Sequence, residues 1–178
     1  MPEREILLLV CLEKANFSGN EQQAYSANKE LGLYYIDNKR FDEALSYLNA
    51  AILCDVKNQS EAFFLRGLTY FKKKNLESAM EDFDRSLRVD PNLALANNFK
   101  GIIYHAKGQL EMAIEQYREA IKKMPDLKEA LYNLGFAYQS RGEYDRAREL
   151  YAQALKVNKN FEPARSRLCE LLDGMARQ

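Results

Sequence analysis

Histidine occurs once in this sequence, at position 105, and cysteine three times, at positions 11, 54 and 169. Three cysteines so widely spread build no disulfide framework, and their odd number favours a reducing compartment, so the expected location is cytoplasmic. Net charge is missing too. Twenty-six basic residues balance 26 acidic ones, and the longest basic block is Lys72-Lys73-Lys74. The electrostatic footprint of a nucleic-acid binder is therefore absent. No apolar run is longer than Ile6 to Leu12, far short of the roughly 20 residues that cross a bilayer as a helix, so no direct membrane insertion is expected. The start, Glu3-Arg4-Glu5, is not net basic and no small-residue cleavage site follows it, which argues against a secretory leader. The valine of Leu9-Val10-Cys11 is too bulky for a lipoprotein cleavage site.

What the sequence does have is a period. Gly32, Gly67, Gly101 and Gly135 recur at intervals of 35, 34 and 34 residues. Each is followed three residues later by a tyrosine (Tyr35, Tyr70, Tyr104, Tyr138) and twelve later by an alanine (Ala44, Ala79, Ala113, Ala147). Sixteen residues after the glycine stands Leu48, Phe83, Tyr117 or Tyr151, and three further on a small residue, Ala51, Ser86, Ala120 or Ala154. Small residues where two helices cross let the backbones approach, and the large ones fill the space beside them, so each unit reads as a helical hairpin. Glu43, Glu81, Glu115 and Glu149 keep the outer face of the second helices wet. Gly108 and Gly142 mark the turn inside two hairpins, and Asp90-Pro91-Asn92 and Met124-Pro125-Asp126 end two of them. The first unit closes at Asp55-Val56 and the fourth at Asn158-Lys159. The period predicts helices over 25–38, 41–54, 60–73, 76–89, 94–107, 110–123, 128–141 and 144–157.

From Tyr25 to Phe161 this register resembles the tetratricopeptide repeat, most closely in the fourth unit, Leu131-Tyr132-Asn133-Leu134-Gly135 through Tyr151-Ala152-Gln153-Ala154-Leu155. The resemblance implies an all-α fold, a right-handed superhelical solenoid of antiparallel helix hairpins. Its repeats would span 25–59, 60–93, 94–127 and 128–161, after an N-terminal helix and linker over 1–24. Residues 162–178 would form a capping helix and tail, with Leu168, Cys169, Leu171, Leu172 and Met175 turned to the last repeat. The sequence departs from the family pattern at Asn28 and Asn97, where bulky apolar residues are usual, and at Arg66 and Lys100, which replace the leucine before the glycine.

Material for catalysis is thin. Cys54, Cys169 and His105 fall in different units, no pair has zinc-site spacing, and no glycine-rich phosphate loop or nucleophile elbow occurs, so neither enzyme activity, metal nor cofactor is expected. Cys169 occupies the glycine slot of the cap helix and reads as a small core residue.

In the family the first helix of each hairpin lines the concave surface. Residues six and three before each glycine, then one and four after it, make a second stripe on these helices. It reads Ser26, Lys29, Leu33 and Ile36; Glu61, Phe64, Leu68 and Phe71; Leu95, Asn98, Ile102 and His105; Glu129, Tyr132, Phe136 and Gln139. Phe64, Leu68 and Phe71 share a helix with core-side Phe63, Gly67 and Tyr70. A helix apolar on both sides needs two things to bury against, the core and either a neighbouring helix or a ligand. Lys72-Lys73-Lys74 either satisfies a helix C-terminus or forms a rim for acidic partners. A carboxylate clamp for acidic chaperone tails would need lysines, arginines and asparagines where Leu33, Leu65, Leu95 and Phe99 stand; Lys29 alone matches. The asparagine ladder of sugar-transferase repeats is also missing, since only Asn133 fits beside Glu30, Leu65 and Phe99.

The expected function is a non-catalytic interaction scaffold or adaptor holding an apolar or amphipathic peptide segment of a partner protein. The groove residues of this reading are Lys29, Leu33, Ile36, Phe64, Leu68, Phe71, Lys72, Leu95, Asn98, Ile102, His105, Tyr132, Phe136 and Gln139. Pro2 to Phe17 lies outside the register and reads as one helix, with Leu8, Cys11, Leu12 and Ala15 on one face and Ile6, Leu9 and Val10 on another. It either covers the first repeat or docks in the groove of its own chain or another copy, which would make the protein a self-assembling scaffold.

Overall fold

A computed structural model describes residues 3–54, 56–57 and 59–175. Among them are ten helices and no strand: α1 (Glu3–Ser18), α2 (Glu21–Asp37), α3 (Phe41–Leu53), α4 (Ser60–Lys72), α5 (Leu76–Val89), α6 (Ala94–Ala106), α7 (Leu110–Lys123), α8 (Lys128–Ser140), α9 (Tyr144–Val157) and α10 (Glu162–Met175). Pro2 and Asp55, which the sequence places at a helix start and a repeat end, and the side chain of Met175 lie outside the described residues. The chain forms two units, residues 1–91 and 92–178. The first holds the hairpins α2–α3 and α4–α5, and the second α6–α7 and α8–α9.

All four hairpins turn the same way. The residue seven places after each repeat glycine is left-handed: Lys39 (φ 59), Lys74 (φ 63), Gly108 (φ 73) and Gly142 (φ 79). Its N–H reaches the carbonyl three residues back and the next N–H the carbonyl five back, as in Lys39 to Ile36 (3.0 Å) and Arg40 to Tyr35 (2.9 Å). The pairs Lys74–Phe71 and Asn75–Tyr70, Gly108–His105 and Gln109–Tyr104, and Gly142–Gln139 and Glu143–Tyr138 repeat this Schellman closure, which satisfies carbonyls the helix end leaves open. The sequence showed the turn only where glycine occupies it.

The crossing of each hairpin is as tight as the small residues suggest. A Cβ on Gly101 would come within 2.4 Å of Tyr117 Cε1, one on Gly32 within 2.5 Å of Leu48 Cγ, and those on Gly67 and Gly135 within 2.9 Å of Phe83 and 2.8 Å of Tyr151. Leu48, Phe83, Tyr117 and Tyr151 are buried, and so are Ala44, Ala79, Ala113 and Ala147 and the small residues Ala51, Ser86, Ala120 and Ala154. Filling that space from water contributes about 1.5–3 kcal/mol per large apolar side chain.

α2 begins at Glu21, ahead of the expected 25. Left-handed Gly19 (φ 65) breaks the chain direction, and the Asn20 side chain accepts the Gln23 N–H at 3.0 Å, capping a helix start that lies outside the 34-residue period. α1 packs on α2 of its own chain. Leu8, Leu9 and Leu12 lie against the cluster of Leu31, Tyr34 and Tyr35, and Ala15 is buried beside Tyr25 and Ala51. Glu5 is buried in this contact, accepting a hydrogen bond from the Tyr35 hydroxyl at 2.6 Å and facing Arg40 at 3.6 Å.

α10 packs against the last hairpin, with Ala164 fully buried and Phe161, Leu168 and Leu171 against the cluster of Leu134, Tyr138 and Tyr151. Cys169 and Leu172, expected to face the repeat, are exposed instead. The glycine slot is buried in a hairpin because the second helix crosses over it. Among the described residues no further helix crosses α10, so the same slot faces outward.

Candidate functional site

In the first unit the predicted groove residues separate by depth. Ile36 and Phe64 are buried, Ile36 with Leu31 and Tyr35, and Phe64 with its ring 5.8 Å from that of Phe83. Both are core side chains here, because this stripe borders the core. Leu33, Leu68 and Phe71 are half-buried and Lys72 is exposed. Lys29 bridges α2 to α4 through a salt bridge with Glu61. Burial would lower its pKa, but the Glu61 carboxylate outweighs this and raises it, so the one clamp-like cation is already paired. Within the lysine block, Lys73 pairs with Asp42 and Lys74 holds the left-handed turn.

The second unit brings four predicted residues to one place. Ile102 and His105 on α6 face Tyr132 and Phe136 on α8 across a cavity of about 370 Å³, completed by Ala106, Tyr117 and Asn133. The His105 ring lies 5.0 Å from that of Phe136, and Tyr132 stacks on Phe136 at 6.4 Å with 3° between planes. Phe161 meets Tyr132 edge-on at 5.8 Å, which fixes the tyrosine from behind. Burial pushes the His105 pKa below its ordinary value. Beside the cavity the Asn133 amide donates to Asn98 Oδ1 at 2.9 Å.

Other predicted positions serve the scaffold. Asn98 itself is buried, Leu95 packs against Ala94, Ala120, Leu127 and Ala130, and Gln139 Oε1 accepts a hydrogen bond from the Tyr151 hydroxyl at 2.7 Å. Ala106, Tyr117, Asn133 and Arg167 are at the site but were not among the predicted groove residues. Tyr117, buried for the helix crossing, also lines the cavity. Arg167 of α10 lays its guanidinium 5.0 Å from the Phe136 ring centre. It stands two residues before the cap's glycine slot, as Asn133 stands before Gly135, so extending the register would have found it.

Cys54 is buried, which raises its pKa, as does nearby Glu21, so the thiol stays protonated. Among the described residues no three His, Cys, Asp or Glu side chains converge to hold a metal ion, and no helix is long and apolar enough to cross a membrane.

Models of the tetratricopeptide repeat match residues 25–53, 60–93 and 129–161, and a TPR repeat model matches 101–140. Together these spans take in more than half of the chain. The chain is a tetratricopeptide-repeat protein. Its sequence is 37% identical over 62 residues to the SGT1 homolog of Dictyostelium discoideum, a match covering 35% of this chain and 16% of that protein. Pseudomonas aeruginosa pilF has a similar structure, with a TM-score of 0.81 at 21% identity over 88% of this chain and 71% of its own. So does the first TPR of Spaghetti (RPAP3) bound to the HSP90 peptide SRMEEVD, with a TM-score of 0.62 at 17% identity over 66% of this chain and 93% of its own. At such identities the likeness speaks for the fold, the all-α helical repeat. Tetratricopeptide repeats are in general interaction modules rather than catalysts.

Proposed function

We propose that this tetratricopeptide-repeat protein is a non-catalytic adaptor that captures an apolar or amphipathic segment of a partner protein, seating one apolar side chain between α6 and α8. The observation that carries the reading is the cavity walled by Ile102, His105, Tyr132 and Phe136. Its size and aromatic lining suit an anchor residue of a helix laid in a groove. Asn133 spends one amide N–H on Asn98 and keeps its other N–H and its carbonyl to orient a ligand. The RPAP3 repeat domain holds an acidic HSP90 peptide. Here Leu33, Leu65, Leu95 and Phe99 replace the cations and asparagines of a carboxylate clamp, and Lys29 is held by Glu61, which supports an apolar ligand over an acidic tail. The three unpaired cysteines support a reducing compartment such as the cytoplasm.

The test is an array of synthetic amphipathic peptides that differ only at one anchor position, read by fluorescence polarisation. Leucine- or phenylalanine-anchored peptides should bind and serine-anchored ones should not. Tyr132→Ala and Phe136→Ser should abolish capture without loss of helicity. Binding that survives both substitutions would place the site elsewhere.

A further inference from the structure

We infer that the outward face of α1 is a contact between two copies of this chain, paired antiparallel about a two-fold axis. The face buried on α2 carries Glu5, Leu8, Leu12 and Ala15. The opposite face leaves Ile6 48%, Leu7 63%, Val10 39% and Phe17 98% exposed. The other large exposed apolar side chains, Leu53, Val89, Met112, Met124, Tyr144, Val157 and Leu172, are spread over several elements. Four on one face of one helix form a patch, and patches of that kind mark contact sites.

The charges on this face select its occupant. Glu3, Leu7, Val10, Lys14 and Phe17 follow the alternating four- and three-residue spacing of a helix-pairing seam. In an antiparallel pair one register sets Leu7 against Val10 of the second copy and Glu3 against its Lys14, and the two-fold axis makes each pair twice. Shifting the register so that Val10 meets Val10 puts Leu7 against Glu13 and Ile6 against Lys14, apolar against charged. Glu3 and Lys14 are exposed and have no ion-pair partner among the described residues. Leu7, Val10 and Phe17 are exposed on the side of α1 away from the residues packed on α2, and Lys14 stands at the edge, beside Gln23, Ser26 and Glu30. A membrane surface suits this face less well, because Glu3 and Glu13 outnumber Lys14 where an interfacial helix would carry a surplus of Lys and Arg. Docking of α1 in the groove of another copy would strip Leu8, Leu12 and Ala15 from α2 and break the Glu5–Tyr35 hydrogen bond.

A single helix face makes a small interface, so the dimer is weak and concentration-dependent. Sedimentation velocity of the full chain over a concentration series should show a monomer–dimer equilibrium that Leu7→Asp or Val10→Asp abolishes with the circular dichroism spectrum and Tm unchanged. Glu3→Lys and Lys14→Glu should each weaken the dimer about fivefold to tenfold, since each reverses two symmetric pairs, and the double variant should regain the parent's dissociation constant. A chain that stays monomeric throughout, or a double charge reversal no better than the singles, overturns the proposal. A dimer lost with Phe136→Ser but not with Val10→Asp would overturn it in favour of groove docking. Binding to anionic vesicles that Val10→Asp removes, with no dimer, would overturn it in favour of a membrane surface.

Discussion

Arg66 and Asp82 form a buried two-pronged ion pair, Nε to Oδ2 at 2.6 Å and Nη2 to Oδ1 at 2.7 Å, across the crossing of the second hairpin. The same two positions in the fourth hairpin are Leu134 and Leu150, which pack in its core. Replacing Arg66 alone by leucine leaves the Asp82 carboxylate, 2% exposed, with Arg85 at 3.2 Å as its remaining cation, and should cost about 1–3 kcal/mol. Arg66→Leu with Asp82→Leu should return to at least the parent's stability, because it installs the apolar pair that the fourth hairpin already uses. Urea unfolding of the parent, both single variants and the double variant checks this. A double variant as unstable as Arg66→Leu would mean that the site does not accept the apolar pair.

That ion pair also shows what a single sequence conceals. Arg66 and Asn97 stood out as departures from the repeat because the period makes each position comparable with its three equivalents. Their partners are sixteen or more residues away on the second helix: Asp82 for Arg66, and Gln116 and Lys123 for Asn97, at 2.6 to 2.9 Å. Each departure is one half of a compensated pair, which periodicity alone does not join.

The small residues, the crossings and the hairpins were legible because every repeat restates them. α1 and Glu5 lie outside the period, and no pattern says that a carboxylate in an apolar helix will meet Tyr35 thirty residues later. For the groove, spacing gave the stripe but not its depth. Ile36, Phe64 and Asn98 are buried while Ile102, His105, Tyr132 and Phe136 surround a cavity, and that difference depends on side chains contributed by neighbouring helices.

Lys39 and Lys74 hold a left-handed backbone that Gly108 and Gly142 hold in the other two hairpins. A side chain there costs roughly 1–2 kcal/mol, part of which glycine gives back through its freer unfolded chain. Lys39→Gly and Lys74→Gly should each therefore stabilise the protein by about 0.5–1 kcal/mol. Lys74 is the better test, since Lys39 lies near the α1 contact. A lower melting temperature for Lys74→Gly would show that its side chain contributes more than the turn costs.

Gly101→Ala should destabilise by about 1–3 kcal/mol, since the added Cβ would stand 2.4 Å from Tyr117 Cε1 and 2.6 Å from Cδ1. Gly101→Leu should prevent folding of the second unit. Because Tyr117 also lines the cavity, Gly101→Ala should reduce peptide capture along with stability. Denaturant melts of Gly101→Ala and of a surface control such as Glu115→Gln separate the two effects. An unchanged midpoint for Gly101→Ala would mean that the crossing can open at no cost.

His105 is the chain's single histidine, so its ring gives one resolved NMR titration. Burial lowers its pKa from the usual 6.5, which makes the unfolded chain the better proton acceptor. Its contribution to stability is therefore complete above about pH 6.5 and is lost as the pH falls through that value toward the lower folded pKa. An apolar side chain seated against His105 and Phe136 would strip more water from the imidazole and lower the pKa further, so capture should weaken on acidification. The expected titration midpoint lies below 6.5 in the free protein and lower again with a leucine-anchored peptide bound. His105→Gln should bind the same peptide with an affinity that no longer changes between neutral and mildly acidic pH. A midpoint at or above 6.5, or one the peptide leaves in place, would show that the ring is solvated and does not wall the site.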